Sequence, residues 1–179
     1  MATDGVFIAL GSNIAPEIHL PAAAALLARR FPIAAVSTVW ESAPVGFSEQ
    51  PNFCNAALLL HGEIPKPQDL KQELLGIEDE LHRVRDPDNK NGPRTIDLDI
   101  ALFGQLVLHN EHVSIPDPQI PERPFLAIPL AELAPDFVHP ELQCSLAVIA
   151  EATPRTDLRP RPEIILTAAI QWTGSQRPT

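Results

Sequence analysis

The chain has 179 residues, a hydrophobic fraction of 45% and a net charge of −10, with 13 Lys and Arg against 23 Asp and Glu. This composition is typical of one soluble globular domain, and the negative charge argues against a nucleic-acid-binding protein. No apolar run approaches the roughly 20 residues that cross a bilayer and no basic-then-apolar leader opens the chain, so we expect a cytoplasmic protein without membrane contact.

The first elements in chain order are an apolar strand at residues 5–11 and a helix over residues 17–31. Pro21 fits only the first turn of a helix, which moves the expected helix start toward Leu20. Residues 33–42 alternate like a strand, and residues 53–60 are predicted as the next strand. The ten residues between them, 43–52, are long for a hairpin connection, and long loops in compact domains tend to be functional.

The second helix is predicted over residues 67–84, because leucines and isoleucine recur there at helical spacing, at Leu70, Leu74, Ile77 and Leu81. A strand at 95–103 follows, then a turn into residues 106–109. The order strand, helix, strand, strand, helix, strand predicts an α+β, ferredoxin-like fold, with both helices on one face of an antiparallel sheet. Extra C-terminal elements are a helix at 142–152 and a segment at 163–172 that is either strand or helix.

Two acids lie within the predicted strand at 95–103. Ile96, Leu98 and Ile100 form one face of that strand, so Asp97 and Asp99 share the other, about 7 Å apart at Cα. Two like charges on one strand face repel each other unless a positive charge lies between them. Two Mg²⁺ ions about 3.5–4 Å apart would supply it. The alternative is an exposed strand face with two solvated acids.

Four cations precede this strand, Arg83, Arg85, Lys90 and Arg94, within twelve residues where the average density of 13 Lys and Arg in 179 residues would supply about one. Between them lies a Pro-, Asn- and Gly-rich loop. Acids that hold Mg²⁺ beside guanidinium groups that neutralise phosphate oxygens suit a metal–polyphosphate ligand. The alternative is a solvated charged loop. The chain has neither a P-loop nor a Rossmann glycine motif.

With these motifs placed, the chain resembles the 6-hydroxymethyl-7,8-dihydropterin pyrophosphokinases of folate biosynthesis. The family signature Gly-Pro-Arg-x-x-Asp-x-Asp stands at residues 92–99. The other family motifs follow in the right order: Leu-Gly-Ser-Asn at 10–13, Pro-x-Gly at 44–46, Gln-Pro-x-aromatic-x-Asn-Ala-Ala at 50–57, Arg-x-Arg at 83–85, Arg-x-Phe at 123–125 and Pro-Leu at 129–130.

The resemblance implies transfer of the β,γ-pyrophosphoryl group of ATP to the hydroxymethyl oxygen of 6-hydroxymethyl-7,8-dihydropterin, with release of AMP. It implies two Mg²⁺ ions per site, with Asp97 and Asp99 as ligands. We also expect a monomer or weak dimer. A competing hypothesis is a non-catalytic pterin- or nucleotide-binding module on the same fold. Incubation with Mg-ATP and the dihydropterin, followed by a search for AMP, separates the two.

The resemblance also assigns residues to the two substrates. The catalytic group comprises Arg83, Arg94, Asp97 and Asp99. Glu78 is either an acid near the nucleotide or an exposed helix charge. The expected ATP-binding residues are Glu78, Arg83, Arg85, Lys90, Arg94, Ile100, Asp117 and Arg123. The pterin is expected to stack between two phenylalanines, with hydrogen bonds at its edge, and its expected site residues are Gly11, Ser42, Ala43, Val45, Phe53, Asn55, Asp97 and Phe125.

Some positions depart from the commonest family pattern. Asp117 stands where many members have histidine, Pro118 where tyrosine often follows, and Asn91 where tryptophan often precedes the signature. Residues 1–154 are expected to form the pyrophosphokinase domain, and residues 155–179, which have no clear counterpart, an extension packed on it or trailing from it. Two cysteines, Cys54 and Cys144, offer no disulfide framework or metal spacing, so we expect free thiols in a reducing cytoplasm.

Overall fold

A computed structural model describes residues 5–89, 91–154 and 158–166. In chain order the elements are β1 (Val6–Ser12), α1 (Pro16–Arg30), β2 (Ile33–Val36), β3 (Trp40–Ser42), β4 (Phe53–Leu60), α2 (Pro67–Glu80), β5 (Asp97–Phe103), β6 (Leu108–His109), β7 (Ser114–Ile115), α3 (Pro124–Leu133), α4 (Leu146–Ala152) and β8 (Arg159–Pro160). No helix within these ranges is both long enough and apolar enough to cross a bilayer.

The main sheet is antiparallel and runs in the order β5-β1-β4-β3-β8, with β2 also paired to β4. β1 and β4 lie at its centre because both are apolar on both faces. The register sets Gly11 of β1 between Asn55 of β4 and Asp97 of β5, and Ala9 opposite Asp99. The register therefore brings an amide and two carboxylates to one end of the sheet.

Helices cover both faces of the sheet. Val6, Ile8 and Leu10 of β1 pack with α1 and α2 in one core cluster, whereas Phe7 packs with α3 and α4 in another. Side chains alternate between faces along a strand, so Ala9 and Gly11 share the α3 face with Phe7. The predicted α+β class and the placing of the first two helices on one face are confirmed.

Element boundaries differ from the prediction where a local hydrogen bond competes with the expected pattern. α1 begins at Pro16, not near Leu20, and it accommodates Pro21 inside the helix. The expected strand at 33–42 is two strands, because Ser37 Oγ accepts the amide hydrogen of Ala57, 2.8 Å away, in place of a continuous ladder. α4 begins at Leu146 rather than at residue 142.

α2 is shorter than the predicted helix at 67–84. It ends at Glu80, and His82 then takes a left-handed conformation with φ 59°, which turns the chain away from the helix axis. Arg83 and Arg85 therefore lie beyond the helix, on the segment that returns toward β5. The segment predicted as strand or helix at 163–172 is neither over residues 163–166, and the rest of it lies outside the described residues.

Candidate functional site

A cavity of about 440 Å³ opens on the α3 face at the end of β1, β4 and β5 where the two acids lie. All eight residues expected to bind pterin line it: Gly11, Ser42, Ala43, Val45, Phe53, Asn55, Asp97 and Phe125. Asp99, Arg94, Asp117 and Arg123 from the other expected sets line it as well. The fold thus brings these side chains together, and their roles toward a ligand stay a prediction.

Gly11 forms part of the cavity floor. A Cβ atom at this position would stand 3.4 Å from Oδ1 of Asn55 and 3.9 Å from Cβ of Asp97. Any larger side chain at residue 11 would therefore fill the space between the amide of Asn55 and the carboxylate of Asp97. A glycine leaves that space open to a ligand.

Asp97 lies between two guanidinium groups. Nη1 of Arg83 donates to its Oδ1 at 2.5 Å, and Nη1 of Arg94 donates to its Oδ2 at 2.7 Å. Burial by itself would raise the pKa of Asp97, but Arg83 and Arg94 hold it below the ordinary value. Asp97 is therefore ionised at neutral pH, which is the state that binds a divalent cation.

Glu78 is a buried acid that accepts hydrogen bonds from the arginines of this cluster. Its side chain is only 1% exposed, and its carboxylate accepts a hydrogen bond from Arg83 at 2.5 Å and another from Arg85. It also accepts the amide hydrogen of Leu98 at 2.7 Å. Burial raises the pKa of Glu78, and the Leu98 amide and Arg83 oppose that rise. The reading of Glu78 as an exposed helix charge is therefore wrong.

Asp99 has a different partner, Lys71 of α2. Nζ of Lys71 lies 2.6 Å from Oδ1 of Asp99 and 3.2 Å from the carbonyl oxygen of Leu98. The sequence analysis did not identify Lys71 as a site residue. The available signal was a lone lysine next to Leu70 on the helix face that packs over β5, in a helix whose other charges are acidic.

Asn13 connects the signature segment to the loop at 43–52. Its Oδ1 accepts the amide hydrogen of Arg94 at 2.8 Å, and its Nδ2 donates to Gln50 Oε1 at 2.9 Å. Nε2 of Gln50 in turn donates to the carbonyl oxygen of Asn91 at 2.7 Å. The two loops at the cavity mouth are therefore joined through one side chain from each of two family motifs.

The aromatic part of the cavity is formed by Phe53 and Phe125. The guanidinium carbon of Arg94 lies 5.7 Å from the centre of the Phe53 ring, within the range of a cation–π contact. Phe125 is half-buried in the first turn of α3, a helix that the sequence analysis did not predict. Between them, Nδ2 of Asn55 donates to Oγ of Ser42 at 3.0 Å. The cavity lining therefore combines two phenylalanine side chains with a hydrogen-bonded amide and hydroxyl.

A second cavity of about 210 Å³ adjoins the first and shares Asp99 and Asp117 with it. Ile100 lines it, together with residues of the β6–β7 region and Lys71. Burial raises the pKa of Asp117; the amide of Gln119 lowers it, and Asp99 and Asp97 raise it further. Asp117 therefore lies close enough to Asp99 and Asp97 for their charges to disfavour its ionised form.

The remaining expected residues divide into three cases. Arg123 reaches the first cavity, and its buried Nε has no hydrogen-bond partner among the described residues, so a ligand could satisfy it. Arg85 is 45% exposed on its side chain and lies beside the cluster, paired to Glu78 and Asp79. Lys90 lies outside the described residues.

The acids fit Mg²⁺ when substrate oxygens complete the coordination. Within the ranges that the structure describes, no group of three or more His, Cys, Asp and Glu side chains could hold a metal alone. Asp97 and Asp99 nevertheless offer hard carboxylate oxygens on one wall of the cavity. Mg²⁺ is commonly held by one or two carboxylates plus phosphate oxygens of a substrate, so this donor set suits a magnesium–nucleotide complex.

Comparisons with known sequences identify the family of this chain. Residues 7–135 match the family described as 7,8-dihydro-6-hydroxymethylpterin-pyrophosphokinase. A 2-amino-4-hydroxy-6-hydroxymethyldihydropteridine pyrophosphokinase of Pseudomonas aeruginosa is 40% identical over 139 residues, which is 76% of this chain and 84% of that protein. The Aquifex aeolicus protein of the same name is 34% identical over 161 residues, 89% and 96% of the two chains.

Longer proteins also match. A folic acid synthesis protein of Pneumocystis carinii is 36% identical over 159 residues, which cover 88% of this chain but only 21% of that protein. The chain therefore spans about a fifth of its length. The solved wild-type HPPK-DHPS of Plasmodium falciparum aligns with a TM-score of 0.65 at 13% identity, covering 82% of this chain and 44% of that one, which supports the fold.

The members of this family share one type of reaction. They are ATP-dependent diphosphotransferases of folate biosynthesis and typically use Mg²⁺. The ferredoxin-like fold expected from the order of strands and helices, and the family expected from the motifs, are confirmed by these matches. The chain belongs to the 7,8-dihydro-6-hydroxymethylpterin pyrophosphokinase family.

Proposed function

We propose that this protein transfers the diphosphate of ATP to the hydroxymethyl oxygen of 6-hydroxymethyl-7,8-dihydropterin, with the residues of the cavity in the roles given below. The observation that carries the proposal is the register that sets Gly11 between Asp97 and Asn55. It brings metal-binding carboxylates within reach of a slot suited to a flat ring. In the reaction the hydroxyl oxygen bonds to the β-phosphorus, the bond from that phosphorus to the α-phosphate oxygen breaks, AMP leaves, and the hydroxyl proton passes to solvent.

The pterin ring occupies the slot between Phe53 and Phe125. Stacking on both faces removes the ring from water and fixes its plane. Asn55, held by Ser42, offers a donor and an acceptor to the amide edge of the ring, and backbone groups of Ala43 and Val45 complete that edge. This orientation points the hydroxymethyl group toward Asp97.

The triphosphate lies along the arginines. Arg94 lines the larger cavity, whereas Arg83 lines neither cavity and pairs with Asp97 and Glu78. Both side chains are only 14% exposed, so their charges act in a partly desolvated site where they favour a bound phosphate. Arg123 reaches the same cavity with its unsatisfied Nε, and Arg85 and Lys90 act from the rim. The adenosine end then enters the smaller cavity beside Ile100 and Asp117.

Asp97 and Asp99 would hold two Mg²⁺ ions. Bound there, the ions would supply positive charge to the phosphate oxygens and lower the pKa of the attacking hydroxyl, so no dedicated protein base would be required. The protein's part is positioning and charge: Arg83 and Arg94 keep Asp97 ionised, and Glu78 keeps Arg83 and Arg85 in place.

We also propose that the protein acts in the cytoplasm as a monomer or weak dimer, with ATP and the dihydropterin as its partners and without nucleic acid or membrane. Its acidity and its free cysteines, Cys54 and Cys144, support that setting. Residues 1–154 form the pyrophosphokinase domain, and residues 155–179 are an extension of it.

The test is a single-turnover assay of the purified chain. Incubated with Mg-ATP and the dihydropterin, the protein should release AMP and pterin diphosphate in equal amounts, and AMP should not form when the pterin or Mg²⁺ is omitted. Phosphorus NMR distinguishes this from ADP and monophosphate formation. Binding of both ligands with no AMP would support the non-catalytic module instead.

A further inference from the structure

Arg161 immediately follows β8 and contacts residues that are adjacent in the chain to residues lining the larger cavity. Its amide donates to the carbonyl oxygen of Val39 at 2.8 Å. Its Nη1 donates to Oε2 of Glu41 at 2.5 Å and lies 3.6 Å from Sγ of Cys54, and its Nε donates to Glu163 at 2.5 Å. The guanidinium group therefore spans β3, β4 and the segment after β8.

Glu41 and Asn52 bracket the loop at 43–52. Oε1 of Glu41 accepts from Nδ2 of Asn52 at 3.0 Å, which closes the base of the loop, while Oε2 is occupied by Arg161. The hydrogen bonds from Asn52 and from Arg161 lower the pKa of Glu41 below its ordinary value. The carboxylate is thus ionised and fixed from both sides.

The same contacts reach the residues that line the pterin slot. Glu41 immediately precedes Ser42 and Ala43, and Cys54 lies between Phe53 and Asn55. Burial raises the pKa of Cys54 to about 11, so it stays a neutral thiol beside the guanidinium group. A displacement of Arg161 would therefore be transmitted to both strands that carry the slot.

We infer that Arg161 is a positioning residue for the pterin: acting through Glu41, it fixes the loop at 43–52 and the ends of β3 and β4 in the conformation that binds the ring. This rests on the proposed function. Arg161 is itself held in place, because Ile164 and Leu166 are buried in the main core, 6% and 3% exposed. It lies beyond residues 7–135 that match the family, so the match assigns it no role.

The test compares Arg161→Ala with Arg161→Lys and Arg159→Ala. Arg159 lies opposite Glu41 in the β3–β8 pair, its side chain has no hydrogen bond to any described residue, and its charge acts on Glu41 only through space. Pterin affinity is measured by calorimetry with a non-hydrolysable ATP analogue and Mg²⁺ at saturation. Nucleotide affinity is measured separately.

Arg161→Ala should weaken pterin binding roughly 5- to 20-fold, because the loop must then be ordered at the expense of binding. The nucleotide dissociation constant should stay within about twofold. Lysine restores one charged contact to Glu41 and should recover most of the loss, and Arg159→Ala should bind pterin like the wild type. Hydrogen exchange should show faster exchange of amides 43–52 in Arg161→Ala, with β1 unchanged.

Unchanged pterin affinity in Arg161→Ala overturns the inference. Equal losses of both ligands together with a lower melting temperature also overturn it, since they indicate a purely structural role. If Arg161→Ala does not fold, Glu41→Gln decides, and wild-type pterin affinity in that variant overturns the inference. A wild-type protein that binds no dihydropterin would refute the proposed function, and this inference with it.

Discussion

The ammonium group of Lys71 lies 2.6 Å from Oδ1 of Asp99, so the second acid of the signature has its own counter-charge from a helix. Asp97 has two, from Arg83 and Arg94. The like-charge repulsion expected on this strand face is thus relieved by the chain's own cations. Divalent metal must compete with these cations for the carboxylate oxygens.

Replacing Lys71 with methionine should therefore increase the affinity of the site for Mg²⁺. The side chain keeps its length and packing but no longer occupies Oδ1 of Asp99. The Asp99 side chain is 49% exposed, and an ion pair of that kind contributes modestly, so the Mg²⁺ concentration at half-maximal turnover should fall about 2- to 5-fold. Calorimetric titration of Mg²⁺ in the presence of an ATP analogue gives the same quantity without turnover.

Lys66→Met is the matched control, because Lys66 is an exposed lysine that immediately precedes α2. It removes the same charge from the same region of the chain without touching Asp99. An equal shift in both variants would assign the effect to net charge alone. A higher Mg²⁺ requirement in Lys71→Met would mean that Lys71 binds phosphate rather than competing with metal.

Asp97→Asn and Asp99→Asn should both reduce turnover by about 10³-fold or more, since each removes a metal-binding carboxylate. Their stabilities should differ. The Asp97 side chain is 28% exposed and accepts from two arginines that are each 14% exposed, so its replacement should lower the free energy of unfolding by about 1–3 kcal/mol. Asp99→Asn should cost less than about 1 kcal/mol. Urea unfolding and single-turnover assays measure the two effects.

Asp88→Asn provides the control for this pair, because Asp88 is an exposed acid in the loop just before the signature. It should leave turnover and stability unchanged. Wild-type turnover at saturating Mg²⁺ in either signature variant would remove that aspartate from the metal site. Equal destabilisation by both variants would contradict the burial difference between them.

Local patterns predicted the fold well where one signal dominated. The strand at 53–60 and the core of α2 follow from apolar spacing, and the face shared by Asp97 and Asp99 follows from the period of two. α3 was missed because it is apolar almost throughout and contains Pro129, so neither a polar face nor a clean periodicity marks it.

Residue types alone could not predict how the charges pair. The sequence placed Arg83 at the end of a helix and left Glu78 either near the nucleotide or exposed. The turn at His82 instead carries Arg83 back over Glu78 and toward Asp97. Such an arrangement depends on tertiary packing of α2 on β5, so local patterns marked Arg83 and Asp97 but could not predict that they pair.

Phe125→Ala should weaken pterin binding by about 1–3 kcal/mol, because it removes one of two stacking platforms. Nucleotide affinity should be nearly unchanged. Phe53→Ala should affect both ligands, since the Phe53 ring also supports Arg94 at 5.7 Å. Calorimetry with each ligand distinguishes the two variants. Equal losses of pterin and nucleotide in Phe125→Ala would place Phe125 outside the pterin slot.

His139 gives the stability a pH dependence far from the site. Its side chain is buried; Nδ1 accepts the amides of Glu141 and Leu142, and Nε2 has no partner among the described residues. Burial lowers the pKa of His139 below 6.5, so the unfolded chain binds a proton more tightly at this side chain than the folded chain does. The stability that neutral His139 provides is complete above pH 6.5, the ordinary pKa of histidine, and is lost as pH falls through the lower pKa of the folded state.

The test compares the wild type with His139→Asn. Asparagine keeps an acceptor for both amides but does not titrate. Between pH 7 and 5 the free energy of unfolding should therefore fall more in the wild type than in His139→Asn. Urea unfolding that shows the same fall in the free energy of unfolding for both proteins between pH 7 and 5 would refute this.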